Sequence, residues 1–296
     1  MKNKIIALIL FFIFILPQSS FADSINLRIS YNLNSIEKGD INNWIDSYNT
    51  LWKDWTALRG GQATGEFLPI KYGPSYEVEV RIPIYKGFAL NLSGTWIKAG
   101  EEGRVDFVNN ATSQNESHFI RNKVTALPIK IGFSMAIPIP VFPRLTFYAG
   151  VGRHIVFIKY KLTETYQADF IFNSQPFNYW HEINNDFKSE ALGFYASAGA
   201  EFEVFKHVVI IFEAENVWSK SSGFKGAYSY KDYLDTEENG KASLYFYESD
   251  QFGLNKHYLM LSGHMDRPEE STVKNVRQGE LNLSGLSLKF GIKFKF

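Results

Sequence analysis

A two-residue rhythm, apolar then polar, runs through most of this chain, and it suits strands with one dry face and one wet face. Ile25, Leu27, Ile29, Tyr31 and Leu33 alternate with Asn26, Arg28, Ser30 and Asn32. Tyr76, Val78, Val80, Ile82 and Ile84 face away from Glu77, Glu79 and Arg81. A turn at Tyr85-Lys86-Gly87 then leads into Phe88, Leu90, Leu92 and Trp96. Further runs at 127–135, 145–151, 192–202, 208–214 and 288–296 bring the expected strands to eight.

The links between them alternate in length. Strands two and three, four and five, and six and seven are joined by a few residues each, whereas the links at 35–68, 106–118, 163–186 and 223–278 are long. An even strand count with short turns on one rim and long loops on the other is the plan of a transmembrane barrel. The fold class expected is therefore all-β: an eight-stranded antiparallel up-and-down transmembrane β-barrel with long extracellular loops. In two places the rhythm slips. Val124 and Ala126 are out of step with Leu127 onward, and His154, Val156 and Ile158 with Val151. Either a β-bulge restores each face, or the strands leave the membrane there.

Composition narrows the class. Aromatics make up 16% of the 296 residues, as strands and a membrane interface favour. Thirty-one basic residues balance 31 acidic ones, so no overall field draws nucleic acid. Cysteine is absent, which removes disulfides and thiolate chemistry. Residues 1–22 read as an export signal: Lys2 and Lys4, twelve apolar residues from Ile5 to Leu16, Pro17, and Ser20-Phe21-Ala22 for cleavage. The barrel domain is expected over 23–296.

The small residues of the polar face (Ser93, Gly132, Ser134, Gly150, Gly152, Ser197, Gly199 and Gly291) fit a narrow lumen better than a solvated surface. The rival is a secreted lipocalin-like barrel with an apolar cavity. The last strand, with Phe290, Ile292, Phe294 and Phe296 at alternate positions, resembles the terminal signature of Gram-negative outer-membrane proteins. On that strand and on topology the chain resembles the small outer-membrane β-barrel family, the OmpA-transmembrane, OmpX and OmpW-like group. The resemblance implies insertion by the outer-membrane assembly machinery, with periplasmic chaperones, outer-membrane lipid and lipopolysaccharide as partners. It also implies periplasmic termini and extracellular loops. A monomer is expected, with a surface ligand and no nucleic acid as partner. The family does not fix a function.

A polar interior would hold Arg28, Glu77, Glu79, Arg81, Lys130, Glu201, Glu213, Glu215 and Lys289, with Glu203, Lys293 and Lys295 near the periplasmic rim. Buried charges persist when paired, so the expectation is a salt-bridged plug, with a small pore for ions or apolar solutes as the alternative. The carboxylates 201, 203, 213 and 215 could do acid–base work, but a closed lumen gives substrate little access. A lipid-modifying enzyme is a distant third reading, since a His with Ser two residues on occurs nowhere among the six histidines. His154 is the best placed of them, on the outer face near the upper membrane edge. No catalytic, cofactor-binding or metal residue is expected, and the protein is read as a non-enzyme.

Within the first long link, Ile41, Trp44, Ile45, Tyr48, Leu51, Trp52, Trp55 and Leu58 recur at helical spacing, with Asp40 to cap the start and Gly60-Gly61 to end it. Trp44, Tyr48, Trp52 and Trp55 mark it as an interfacial helix, or one that folds over the barrel mouth. The last link carries Tyr228, Tyr230, Tyr233, Tyr245, Tyr247 and Tyr258. They form either an adhesive surface or a ladder of extended strands, the ladder being favoured. A structural or surface-interaction, adhesin-like role leads.

Overall fold

The computed structural model describes residues 25–35, 39–85, 87–250, 254, 256–269 and 271–296. The export signal read at 1–22 lies outside them, as does Lys86. The elements are β1 (Asn26–Ser35), α1 (Asp40–Arg59), β2 (Gln62–Glu66), β3 (Tyr72–Tyr85), β4 (Phe88–Asn109), β5 (Gln114–Ile139), β6 (Phe142–Phe172), β7 (Gln175–Phe205), β8 (Val208–Ser221), β9 (Lys225–Asp232), β10 (Glu237–Ser249), β11 (Tyr258–His264), β12 (Val273–Gln278), β13 (Leu281–Asn282) and β14 (Gly285–Lys295).

Eight of these close on themselves. In the order β1-β3-β4-β5-β6-β7-β8-β14 each strand pairs antiparallel with the next, and β14 pairs with β1. The expected ring of eight is present, and its members are those read from the sequence. The three short links lie at one end, where the amide of Phe296 also donates to the Ile25 carbonyl at 3.3 Å.

Four of the ring strands outgrow it. β4, β5, β6 and β7 run for 22, 26, 31 and 31 residues, against 10 for β1 and 11 for β14. Their far halves rise as a second tier, widened by β2 on β4 and by β9, β10, β11 and β12 beyond β7. The links expected as loops at 106–118 and 163–186 are thus mostly strand. β9 and β10 likewise bear out the ladder reading of the last link.

Neither phase slip is a bulge. β5 and β6 keep one register from Asn115↔Asp169 to Pro138↔Thr146, and β6 and β7 from Leu145↔Phe202 to Phe172↔Gln175. What changes is the chemistry of each face. In the ring, Lys130 and Ser134 point inward and are buried, while Ile129, Ile131, Phe133 and Ile137 stand 43–57% exposed outside. Two residues above Pro128 the inward positions turn apolar: Ala126, Val124 and Ile120 on β5, and Val156, Ile158, Tyr160 and Leu162 on β6, none more than 3% exposed. Their outward neighbours are Arg121, Lys123, Lys159 and Lys161. Inside and outside exchange polarity along unbroken strands.

The apolar outer band on β5 spans Leu127 to Ile137. At about 3.3 Å per residue and a tilt near 40°, it stands about 25 Å tall.

The inward apolar residues of the second tier are covered by α1. Ile41, Trp44, Ile45, Tyr48, Leu51 and Trp52 are buried against Phe67, Ile70, Phe107, Phe187, Phe246 and Leu261. This corrects the interfacial reading: Trp44 and Trp52 are each 2% exposed, and Trp55 is half-buried under the Arg59 guanidinium, 4.4 Å from its ring. The helix fills the mouth of the ring because its apolar stripe meets an apolar wall there. Gly60, in a left-handed turn, ends it as expected. Asp40 is not the cap. Gly39 holds that position, and the Asp40 carboxylate accepts two bonds of 2.6 Å from Arg277 and one of 2.7 Å from the Glu280 amide.

Candidate functional site

The inward charges of the ring form one connected network. Lys130 reaches Glu77 at 2.7 Å and Glu215 at 2.5 Å. Lys289 joins the same two carboxylates at 2.8 Å each and Glu213 at 2.9 Å. Glu213 accepts from Arg28 at 3.0 Å and from the Tyr148 hydroxyl at 2.7 Å. Arg28 continues to Glu79 at 3.1 Å, Arg81 bridges Glu79 and Glu201 at 3.3 and 2.7 Å, and Lys293 closes on Glu201. Lys295 and Glu203 pair separately and half-exposed at the short-turn end.

Five buried bases thus meet five buried acids, each with at least one partner. The network includes all nine residues read from the sequence for it; Lys293, expected at the solvated rim, is 6% exposed and belongs with them. A channel as wide as water would leave its lining side chains accessible. Arg28 and Glu77 are each 1% exposed and Glu215 2%. Small residues make room for these long side chains. A Cβ on Gly132 would stand 2.3 Å from the Tyr195 hydroxyl, and one on Gly199 2.6 Å from that of Tyr148.

His154 lies inside, not on the outer face. It is 2% exposed, opposite Lys130 across β5 and β6, with its ring against Gly193. The odd and even positions of β6 keep their faces past Gly152, so the bulge that would have turned His154 outward is absent. With Asn32, Ser219 and Ser287 it lines a partly closed cavity of about 40 Å³ between the charge network and the apolar core. Both His154 ring nitrogens, Asn32 Oδ1, Ser219 Oγ and Ser287 Oγ have no protein hydrogen-bond partner. A polar cavity of that size suits one or two water molecules.

A second grouping, on the inner wall near the tip of the upper tier, escaped the sequence reading. His118 is 2% exposed with Nε2 2.8 Å from Glu164 and Nδ1 3.4 Å from the Tyr48 hydroxyl, ringed by Trp52, Phe67 and Tyr166 at 5.4–5.8 Å between centroids. Burial pushes the Glu164 carboxyl up, but the bond and charge of His118 more than offset it and hold it below its ordinary range. Outward from there run Tyr166, His181 and Tyr230 in near-parallel stacks, 5.4 and 5.9 Å apart. Tyr179, Tyr233, Phe177 and Phe170 then follow, each 5.1–5.3 Å from the next. These seven rings are half-buried. Burial holds His181 below its ordinary range, so it is neutral at pH 7. Of the last-link tyrosines, Tyr230 and Tyr233 belong to this tract, whereas Tyr247 and Tyr258 are buried elsewhere. The missed signal was that Phe170, Tyr166 and Glu164 share one parity on β6, as Phe177, Tyr179 and His181 do on β7.

Among the described residues no cluster has the composition to hold a metal ion. The terminal-strand residues Phe290, Ile292 and Phe296 are exposed on the outer face, and Phe294 is half-buried there.

No family model matches the chain, and no curated protein matches it in sequence. Two solved structures are similar in outline. One is the outer membrane protein OprG from Pseudomonas aeruginosa, with 9% identity and a TM-score of 0.39 over 93% of this chain and 96% of that one. The other is the outer membrane protease OmpT from Escherichia coli, with 9% identity and a TM-score of 0.27 over 93% and 97%. No residue role passes from either protein to this one.

Proposed function

We propose that this chain is an integral outer-membrane β-barrel whose lumen is sealed and whose upper tier, held outside the membrane, does the work of the molecule as a surface-interaction module. The observation that carries this reading is the exchange of polarity along unbroken strands. An apolar band about 25 Å tall around a polar interior matches a bilayer core, and an apolar interior with a charged exterior matches water. The soluble-barrel rival requires one polarity throughout.

The charge network supports a plug over a pore. Every buried base has an acid within 3.1 Å, and an ion entering would have to displace such pairs. The working surface is then the aromatic tract from Tyr166 to Phe170. Half-buried Tyr and Phe rings offer contact area at small entropic cost. The protein is read as non-catalytic, because His118 lies beneath the tract, out of a ligand's reach.

The test is reconstitution of the mature chain, from residue 23, into planar bilayers, using only protein whose gel mobility changes on heating. A silent membrane is expected. Discrete conductance steps that change when Glu213 or Lys130 is neutralised would put the pore ahead. Protein that stays soluble without detergent would overturn the membrane reading itself.

A further inference from the structure

The tip of the upper tier, where the aromatic tract lies, is acidic. The stretches that frame the tract, 105–120, 162–185 and 226–240, hold nine acids and one base, Lys231. The bases of this tier stand lower on the strands, among them Lys98, Lys123, Lys159, Lys188 and Lys225. Three of the nine acids have a Lys or Arg partner: Asp106 has Arg104 at 2.8 Å, Glu237 has Lys231 at 3.3 Å, and Glu116 has Arg59. The other six are held by neutral groups, by His118 or by water. Asp169 accepts from Asn178 and Glu182 from Asn184, each at 2.6 Å, and Asp232 accepts from the Leu234 and Thr236 amides at 3.0 and 3.1 Å. Asp235 and Glu238 are exposed.

These carboxylates adjoin the rings. Glu238 lies opposite Tyr230 across β9 and β10, so the two share a face, and Asp232 accepts a bond of 3.3 Å from the Tyr230 hydroxyl. Glu164 precedes Tyr166 by two positions on β6. His181, neutral at pH 7, adds no opposing charge. The face of an aromatic ring is itself negative and attracts a cation. Lower down this attraction is already used, with the Arg59 guanidinium 3.9 Å from the Phe107 ring and 4.4 Å from that of Trp55. Among the described residues, no Lys or Arg stands over a ring of the tract.

We infer that the tract docks a basic polypeptide segment, its Arg and Lys side chains laid over the ring faces and their charge met by the acids of the tip. The inference rests on the surface-interaction reading above. A neutral saccharide would use the rings and leave the acids idle, and a bare metal ion would do the reverse. A segment bearing Arg or Lys uses both. Spacing agrees: Tyr179, Tyr233, Phe177 and Phe170 follow one another at 5.1–5.3 Å, and an extended chain presents alternate side chains on one side about 6.6 Å apart.

The test uses the full mature protein in detergent micelles, titrated with a fluorescent Arg-Ser repeat peptide, a Gln-Ser repeat of equal length and a neutral glucose oligomer. Tyr179→Leu/Tyr233→Leu removes two ring faces, and Asp235→Asn/Glu238→Gln removes two charges at the rim. Glu102→Gln/Glu190→Gln, exposed on the outer face below the tip, is the control. Heat-modifiable mobility reports that each variant is folded. Wild type should bind the Arg-Ser peptide alone. Loss of two exposed cation–ring contacts should weaken that binding about tenfold. The acid pair should weaken it about threefold at low salt, the difference vanishing as salt is raised, and the control should match wild type. Gln-Ser peptide or glucose oligomer bound as tightly as the Arg-Ser peptide, and lost in the tyrosine variant, refutes the basic partner while the surface-interaction reading stands. Arg-Ser binding unchanged in both variants, or folded protein that binds none of the probes, overturns the inference and takes the tract as working surface with it.

Discussion

Lys289→Met is the sharpest probe of the lumen. The ammonium group touches Glu77, Glu213 and Glu215 at 2.8–2.9 Å and is 4% exposed. Methionine keeps the length and removes the charge, leaving five acids to four bases. Glu77 and Glu215 would then share Lys130, and Glu213 would keep Arg28 and Tyr148. One negative charge remains uncompensated, and stranding a buried charge costs about 3–5 kcal/mol. Adding Glu215→Gln restores four against four and should recover most of the loss. The assay is urea unfolding in lipid vesicles followed by tryptophan fluorescence, with gel mobility to confirm the folded start. The reasoning fails if the single variant lies within about 1 kcal/mol of wild type, or if the double variant is no more stable than the single.

Other expectations follow from the same geometry. Ile131→Arg, in the middle of the outer band, should lower stability in vesicles by about 2–4 kcal/mol, whereas Arg121→Ile above the band should leave it nearly unchanged; similar losses would contradict the polarity boundary. Gly132→Ala, whose Cβ would sit 2.4 Å from the Val151 carbonyl, should cost about 1–3 kcal/mol by the same titration. Arg277→Ala strips the buried Asp40 carboxylate of its strongest partner and should cost about 1–3 kcal/mol, with a shift in Trp44 emission. Asp54 is held below its ordinary range chiefly by its bond from Lys256, then by Tyr258, so that tie is intact above the unfolded-state value of about 4 and is lost as pH falls through the folded value. The protection of the Leu259 amide, bonded to Ser47 at 2.8 Å, measured against its intrinsic exchange rate at each pH, should therefore fall on acidification.

The ring was legible because each of its strands has one mainly apolar face, Arg153 on β6 standing as an exception, and its buried charges because they fall on the opposite parity. The second tier was not. A strand that reverses its polarity at Ala126 or Val156 looks, residue by residue, like a strand that has slipped by one, and only the cross-strand register separates the two. The same ambiguity put His154 on the wrong face. Trp44 and Trp52 misled for a related reason: a tryptophan stripe suits a membrane interface and an apolar wall equally, and the wall is assembled from strands far apart in sequence. The aromatic tract was illegible because it is drawn from two hairpins.

The continuity of β6 and β7 from the short-turn end to the tip bears on mechanics. The hairpin has no bend or bulge at which it could flex between the two tiers, and α1 wedges the opening shut from within. The upper tier is a mast with no elbow. Under the surface-interaction reading proposed above, a partner bound at its tip would be held at one height and one angle, and any pull it exerted would be borne along the strands by the whole ladder at once.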